Sequence, residues 1–160
     1  MKSTLLMVLS LTTVGLALTQ PSLGQGTPIG GTIVNQTWIK TKSPYLVTND
    51  VFVAGLTIRE GVQVIVQGNY VFEVGGRLRV VGTTEEPVEF SPQDEQVGWQ
   101  GLLFRDAVPG SSLNHAVIQG SKNSALRITN TPPALTNCLI MNNTSPFHGG
   151  GILASVSASS

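Results

Sequence analysis

The chain has 160 residues, a formal net charge of +0, a single cysteine and only 11% charged residues. Soluble domains average about 25% charged residues, and a neutral chain without a Lys/Arg-rich stretch argues against a nucleic-acid or anionic-membrane partner. One cysteine excludes an internal disulfide framework and a multi-cysteine metal site. With 41% hydrophobic residues, 18 Gly and 9 Pro, the composition predicts a turn-rich β protein of one domain.

Residues 1–24 have the pattern of a secretory signal peptide. Lys2 gives a positive n-region, an uncharged apolar run extends from Thr4 to Thr19, and Ser22 and Gly24 are the small residues before the cut. The run has about 16 residues, whereas a membrane anchor needs about 20. We therefore expect a secreted protein, extracellular or at the cell surface (the periplasm or outer surface in a bacterium). It contacts a membrane only through this segment, if the segment stays uncleaved.

Short strands are predicted from Ile29 onward, and no helix. Gly or Pro interrupts every window of about 15 residues, and no apolar stripe at helical spacing persists. Instead, apolar and polar residues alternate over a few positions before a turn, most clearly in residues 62–67, 77–80 and 88–90. The chain is therefore predicted to be all β.

The strands repeat along the chain. Residues 112–120 align with residues 134–142 at an offset of 22. A second class of strand recurs at steps of 24, 24 and 26 residues, starting at Arg77, Gly101, Ala125 and Gly151. This period, with short strands and no helix, fits one coil of a parallel β-solenoid. A leucine-rich repeat needs a regular leucine frame, and a β-sandwich predicts spacings of about 8 to 12 without self-similarity.

Parallel coils place each inward side chain about 4.8 Å from its counterpart in the next coil. We therefore expect one aliphatic ladder, made of Leu78, Leu102 or Leu103, Leu126 and Ile152. Stacked equal charges would repel each other. The low charge content is thus a consequence of the predicted fold.

Three phrases follow one another along the chain, in residues 45–62, 76–91 and 98–104. The first, YLVTNDVFV and then LTIREGV, resembles the opening of secreted right-handed parallel β-helix proteins of the pectin-lyase-like fold. The second, GRLRVVGTTEEPVEFS, and the third, GWQGLLF, are similar to the coils that follow in those proteins. The likeness covers residues 30–155. It implies the fold and no particular activity, because the group includes surface proteins, adhesins and carbohydrate-active enzymes.

The predicted division is a signal peptide (1–24), an N-terminal cap segment (25–50) and about four β-helix coils (51–160). Trp38 and Tyr45 belong to the cap segment, which is expected to cover the open edge of the first coil. The sequence ends directly after a strand, without a recognisable cap. We therefore expect a fragment of a longer β-helix, or else a last coil that a partner covers.

The carboxylates predict no catalytic pair. All nine acids lie at or before Asp106, so the most clearly repeated coils contain none. Sugar-chain cleavage needs paired carboxylates, or a calcium cluster with a base. Glu85–Glu86 and Asp94–Glu95 are expected in solvated turns, with one loosely held cation as the alternative. Two further acids are expected to pair on the outer face with Arg77 or Arg79; they are Glu73 and Glu89.

The other reactive side chains have structural interpretations. His115 aligns with Asn137, and the two are expected to stack as a polar ladder. His148 lies in a loop, and two histidines without a third ligand predict no zinc site. Cys138 takes the place of an alanine in the preceding coil, so it is expected to pack rather than to react. Trp99 is expected to anchor a coil corner.

No catalytic, cofactor-binding or metal-ligating residue is therefore predicted, and no cofactor. We expect a secreted or surface-exposed β-helix scaffold that is non-catalytic and serves in binding or adhesion. Its expected partner is a polysaccharide or a surface protein, and not nucleic acid. The alternative is the N-terminal part of a polysaccharide lyase or glycoside hydrolase, a carbohydrate-active enzyme whose catalytic coils lie beyond residue 160.

Overall fold

The computed structural model describes residues 26–147 and 149–156. This part of the chain forms thirteen strands and one turn of 3₁₀ helix at Lys40–Lys42. The strands are β1 (Thr27–Ile33), β2 (Gln36–Trp38), β3 (Tyr45–Arg59), β4 (Gln63–Val66), β5 (Phe72–Val81), β6 (Val88–Pro92), β7 (Leu102–Arg105), β8 (Ser112–Asn114), β9 (Ala116–Gln119), β10 (Leu126–Thr129), β11 (Ala134–Thr136), β12 (Leu139–Met141) and β13 (Ile152–Ser155). The pairings among them are parallel, and the sheet winds into a β-solenoid of about six turns. The predicted all-β parallel β-helix is confirmed.

The strands define three faces of the coil. Face A contains β4, β6, β9 and β12 with the first parts of β1 and β3. Face B contains β7, β10 and β13 with the second part of β1, the middle of β3 and the start of β5. Face C contains β2, β8 and β11 with the ends of β3 and β5. β3 and β5 are long because β3 passes two corners and β5 one corner without a break.

The 22-residue repeat is confirmed by the register of the last coils. Residues 112–114 pair with residues 134–136, and residues 117–119 pair with residues 139–141. Each inward side chain of one coil therefore lies on its counterpart in the next. The same offset holds on faces A and C because the corner between them has the same length in both coils.

The predicted aliphatic ladder is confirmed for three members and wrong for the fourth. Leu102, Leu126 and Ile152 stack on face B. Leu78 lies on face C in register with β3, and Phe72 is the residue that stacks on Leu102. The physical reason is that β5 continues around a corner. Its second half keeps the same alternation of inward and outward side chains, but it belongs to the next face.

The number of coils is about six rather than the expected four. Residues 27–38, which the sequence assigned to a cap segment, form β1 and β2 in parallel register with β3. Trp38 and Tyr45 are buried in the core, where their rings stack at a centroid distance of 4.4 Å. Residues 27–38 therefore form the first of the described coils, and Tyr45 begins the second.

Aromatic rings form a continuous series through the core. Trp38 meets Phe72 edge-on at 6.1 Å, Phe72 meets Phe90 edge-on at 6.0 Å, and Phe90 stacks on Trp99 at 6.3 Å. These separations lie in the range in which aromatic pairs contribute about 0.5–1.5 kcal/mol beyond their buried area. The rings thus link successive coils in addition to the backbone ladder.

Residues in the left-handed region turn several corners. Asp106 and Asn130 have φ of 46° and 67°, and the Asn130 amide donates a hydrogen bond to the Asp106 carboxylate one coil away. His115 and Asn137 repeat the arrangement, with φ of 49° and 52°. Asn and Asp tolerate this region better than most residues, which explains the many small polar residues of the sequence.

Two sequence predictions lie outside the described residues: the signal peptide at 1–24 and the loop position of His148. Within 26–147 and 149–156, no helix is long and apolar enough to cross a membrane.

Replacing Leu126 with alanine tests the ladder on face B. Leu126 is fully buried between two coils, so the variant should lose about 2–5 kcal/mol in free energy of unfolding, measured by urea denaturation. Leu139→Ala is the control, because 52% of Leu139 is exposed. Its change should stay within about 0.5 kcal/mol. Equal losses in the two variants would contradict the inward position of Leu126.

Candidate functional site

The expected pairing of Glu73 and Glu89 with Arg77 or Arg79 is wrong. Glu73 lies on face B, where its Oε1 is 3.7 Å from Nε of Arg105. Glu89 lies on face A and accepts a 2.6 Å hydrogen bond from Gln119. Both arginines point outward from face C. The corner between faces B and C separates them from Glu73, although all three residues belong to one strand.

The two acidic turn pairs lie in different grooves. Glu85 and Glu86 line a groove of about 500 Å³ together with Glu89, and Glu86 forms a salt bridge with Lys40. Glu95 lines a separate groove at the other end of β6. Among the described residues, no group of three His, Cys, Asp or Glu side chains is placed to hold a metal ion.

His115 and Asn137 stack as the sequence predicted. The Asn137 amide nitrogen lies 3.3 Å from His115 Nε2, and Thr84 Oγ1 lies 3.2 Å from the same nitrogen. The imidazole therefore spans two neighbouring turns at a corner. This geometry fits a structural polar ladder.

Cys138 and Trp99 also occupy the expected places. The Cys138 thiol is half-buried against the core, 3.3 Å from the carbonyl oxygen of Leu113. Trp99 is fully buried at a corner, and its indole N–H donates a 2.8 Å hydrogen bond to the carbonyl of Gln119. Both side chains hold the coil together and neither lines a groove described here.

A polar groove on the outside of face C is the candidate binding site, and we call it the face C groove. It spans three successive coils and has a volume of about 450 Å³. The lining residues are Asn35, Gln36, Thr37, Ala54, Gly55, Leu56, Thr57, Arg77, Arg79 and Val108. They present amide, hydroxyl and guanidinium groups and no carboxylate, so the site is rich in hydrogen-bond donors.

Two backbone features shape this groove. Asn35 turns a corner with φ of 48°, and a Cβ on Gly55 would lie 2.5 Å from its Oδ1. Glycine at position 55 lets the Asn35 side chain lie against the backbone of β3, and Arg77 is the register partner of Gly55 in the next coil. The loop after β7 supplies the opposite wall through Val108.

The two arginines of the groove differ in how they are held. Arg77 donates from Nε and Nη2 to the carbonyl of Pro109, at 3.3 and 3.1 Å. Arg79 is exposed and forms no hydrogen bond or ion pair with any residue in 26–147 or 149–156. Its strand neighbours across the coils are Thr57 and Ser112. One guanidinium is thus fixed and the other is free to meet a ligand.

Sequence reasoning missed the face C groove. The only available signal was the pair of arginines at i and i+2 on a strand, which places them on one face. They were expected to pair with acids instead, because the register that brings Asn35 and Thr57 beside them spans separate coils.

A second arginine pair lies on face B and differs in its surroundings. Burial lowers the pKa of the Arg127 guanidinium, and the charge of Arg105 lowers it further, against the opposing effect of Glu73. Arg127 also donates to the carbonyl of Gln100 at 3.2 Å. Because Glu73 pairs with Arg105, this pair carries less unbalanced charge than the face C groove.

No protein-family model, no curated protein and no solved structure matches the chain. The function must therefore be inferred from the fold and the side chains of this chain. Together they present a rigid parallel sheet with one donor-rich groove free of acids, and a separate acidic groove whose Glu86 and Glu89 are already hydrogen-bonded.

The corner ladder is tested by two substitutions at His115. Asparagine tolerates a left-handed φ and can form a hydrogen bond with Asn137. The free energy of unfolding of His115→Asn should therefore stay within about 0.5 kcal/mol of the wild-type value. Valine is β-branched and strained at a φ of 49°, so His115→Val should cost about 1–3 kcal/mol in urea denaturation. Equal stability of the two variants would contradict the left-handed corner.

Proposed function

We propose that this protein is a secreted, non-catalytic β-helix scaffold that binds a glycan on face C. The observation that carries the proposal is the face C groove, which is open to solvent and crosses three coils of a rigid sheet. A parallel coil stack repeats its outward side chains every 4.8 Å or so. Such a surface suits a ligand that is itself a chain of repeating units.

The chemistry of the groove favours a sugar chain over an apolar partner. Asn35, Thr37 and Thr57 offer amide and hydroxyl groups, which donate and accept hydrogen bonds with sugar hydroxyls. Val108 is the one large exposed apolar side chain among its lining residues. A surface protein would bury an apolar, charge-poor centre, and the groove offers none.

The same chemistry supports binding without cleavage. A glycosidase needs two carboxylates on either side of the bond, and none of the lining residues is acidic. None is a lysine or histidine, and the two arginines are poor bases at neutral pH. The rival proposal, a polysaccharide lyase or glycoside hydrolase of the pectin-lyase-like fold, would place its reaction outside this groove.

Blocking the groove should weaken glycan binding. Thr57→Trp fills its floor, whereas Thr129→Trp makes the same change on face B. In affinity electrophoresis through gels containing dextran, xylan, polygalacturonate or dextran sulfate, we expect at least one polymer to retard the wild type and the face B variant. The Thr57 variant should bind at least about tenfold more weakly, which corresponds to roughly 1.4 kcal/mol.

Two outcomes would count against this proposal. Migration unaffected by every polymer would refute glycan binding. New reducing or unsaturated ends, released by the wild type from any of these polymers, would establish the enzymatic alternative instead.

We also propose secretion, which the composition of residues 1–24 supports. The prediction is that the protein recovered from the medium or periplasm of a secreting host begins at Gln25, as read by N-terminal sequencing or intact mass. Ser22 and Gly24 are the small residues that a signal peptidase site requires before the cleaved bond. Gly24→Leu should therefore block cleavage and leave residues 1–24 attached. Recovery of the wild type with Met1 in place would contradict cleavage.

A further inference from the structure

The face C groove holds two positive charges without a compensating acid. Arg77 and Arg79 both line it, and no lining residue is aspartate or glutamate. Elsewhere in the described chain, Lys40, Arg59 and Arg105 each form a salt bridge, whereas Lys42, Lys122 and Arg127 form none. In a protein of net charge +0, two guanidiniums side by side in an open groove point to an anionic ligand.

We propose that the face C groove binds a tetrahedral oxyanion ester on a glycan, a sulfate or phosphate group. The proposal rests on the proposed glycan binding and names the group that the arginines recognise. Guanidinium is the side chain best suited to oxyanions, because its N–H groups form a planar fork of charge-assisted hydrogen bonds.

Two coil layers place donors on the same side of the sheet. Arg77 and Arg79 are two residues apart on one strand and face the same side, about 7 Å from each other along it. Thr57 is the register partner of Arg79 in the preceding coil, about 4.8 Å away. A tetrahedral ester presents three terminal oxygens in different directions, whereas a carboxylate presents two in one plane.

The open groove in front of these arginines gives this group a place. Gly55, which has no side chain, lies opposite Arg77 in the register, and both residues line the groove. Pro109 already accepts from Nε and Nη2 of Arg77, so the side chain is held in place before any ligand binds. Its Nη1 and the whole Arg79 guanidinium remain for the oxyanion.

Four forms of one polymer test the proposal: dextran, carboxymethyl-dextran, dextran sulfate and dextran phosphate. Each polymer is titrated into the full chain to measure its dissociation constant. The ionic strength is about 0.15 M, where the Debye length is about 8 Å, because this screening limits non-specific attraction. We expect tight binding of an ester-bearing polymer, weaker binding of the carboxymethyl form and none of dextran. Whichever of dextran sulfate and dextran phosphate binds with the lower dissociation constant identifies the ester as sulfate or phosphate.

Arg79→Gln is the decisive variant, because Arg79 is exposed and its loss should leave the melting temperature unchanged. The dissociation constant for the ester-bearing polymer should rise by about tenfold to a hundredfold, as expected for a lost charge-assisted hydrogen bond. Arg79→Lys keeps the positive charge but lacks the planar guanidinium fork, so its dissociation constant should lie between those of the wild type and Arg79→Gln. Arg105→Gln removes the same charge from face B and should change the constant less than about twofold.

Four results would overturn the proposal. Equal losses in Arg79→Gln and Arg105→Gln would mean general attraction rather than a site. Binding of carboxymethyl-dextran as tight as that of the esters would refute ester recognition. The protein could instead bind a neutral or carboxylate polymer, such as xylan or polygalacturonate, and neither dextran sulfate nor dextran phosphate. That result would refute recognition of an oxyanion ester but would leave the proposed glycan binding intact. Failure of every polymer would refute both.

Discussion

The structure depends on one constraint, the parallel hydrogen bonding of each strand to the equivalent strand of the coil before and after it. The backbone N–H of Leu102 donates to the carbonyl of Ala125 at 2.9 Å, and that of His115 donates to Thr136 at 3.0 Å. Because the register between coils is fixed, each inward position becomes a ladder and each corner residue lies on another corner residue. A ladder of equal charges would be repulsive, and the chain has few charges to stack.

The face C groove comes from departures from this repetition. Asn35 turns its corner where the next coil has Gly55, so a polar side chain lies directly against a glycine. In β3 and β5 the strand itself passes the corner between faces B and C, whereas a loop at residues 106–111 joins β7 to β8 there, and Val108 extends from this loop to form a wall. Regular coils supply rigidity, and local irregularities on that rigid sheet supply the candidate site.

The sequence predicted the fold well where adjacent coils have equal length, and less well where they do not. The offset of 22 between residues 112–120 and 134–142 exposed the register directly, and His115 was matched to Asn137 for that reason. Leu78 was placed in the wrong ladder because β5 rounds a corner while keeping its alternation. Alternation shows which side of a strand points inward, but it carries no information about which face the strand belongs to.

The candidate site was harder to predict than the fold for the same physical reason. Arg77 and Arg79 were visible as an outward pair, yet their neighbours Thr57 and Asn35 come from other coils. Only the register brings these residues together, and the corners that determine the register vary in length. Glu73 was expected to neutralise the arginines, whereas it lies around the corner on face B.

The in-register stack is tested most directly by a distance across several coils. Thr37 and Ala134 lie in one outward row on face C, four coil spacings apart through Thr57, Arg79 and Ser112. Spin labels on Thr37→Cys and Ala134→Cys, in a Cys138→Ala background, report this separation by double electron–electron resonance. We predict a single narrow distribution near 19 Å, four spacings of about 4.8 Å. A distribution centred beyond about 30 Å, or one without a defined maximum, would contradict the parallel β-helix.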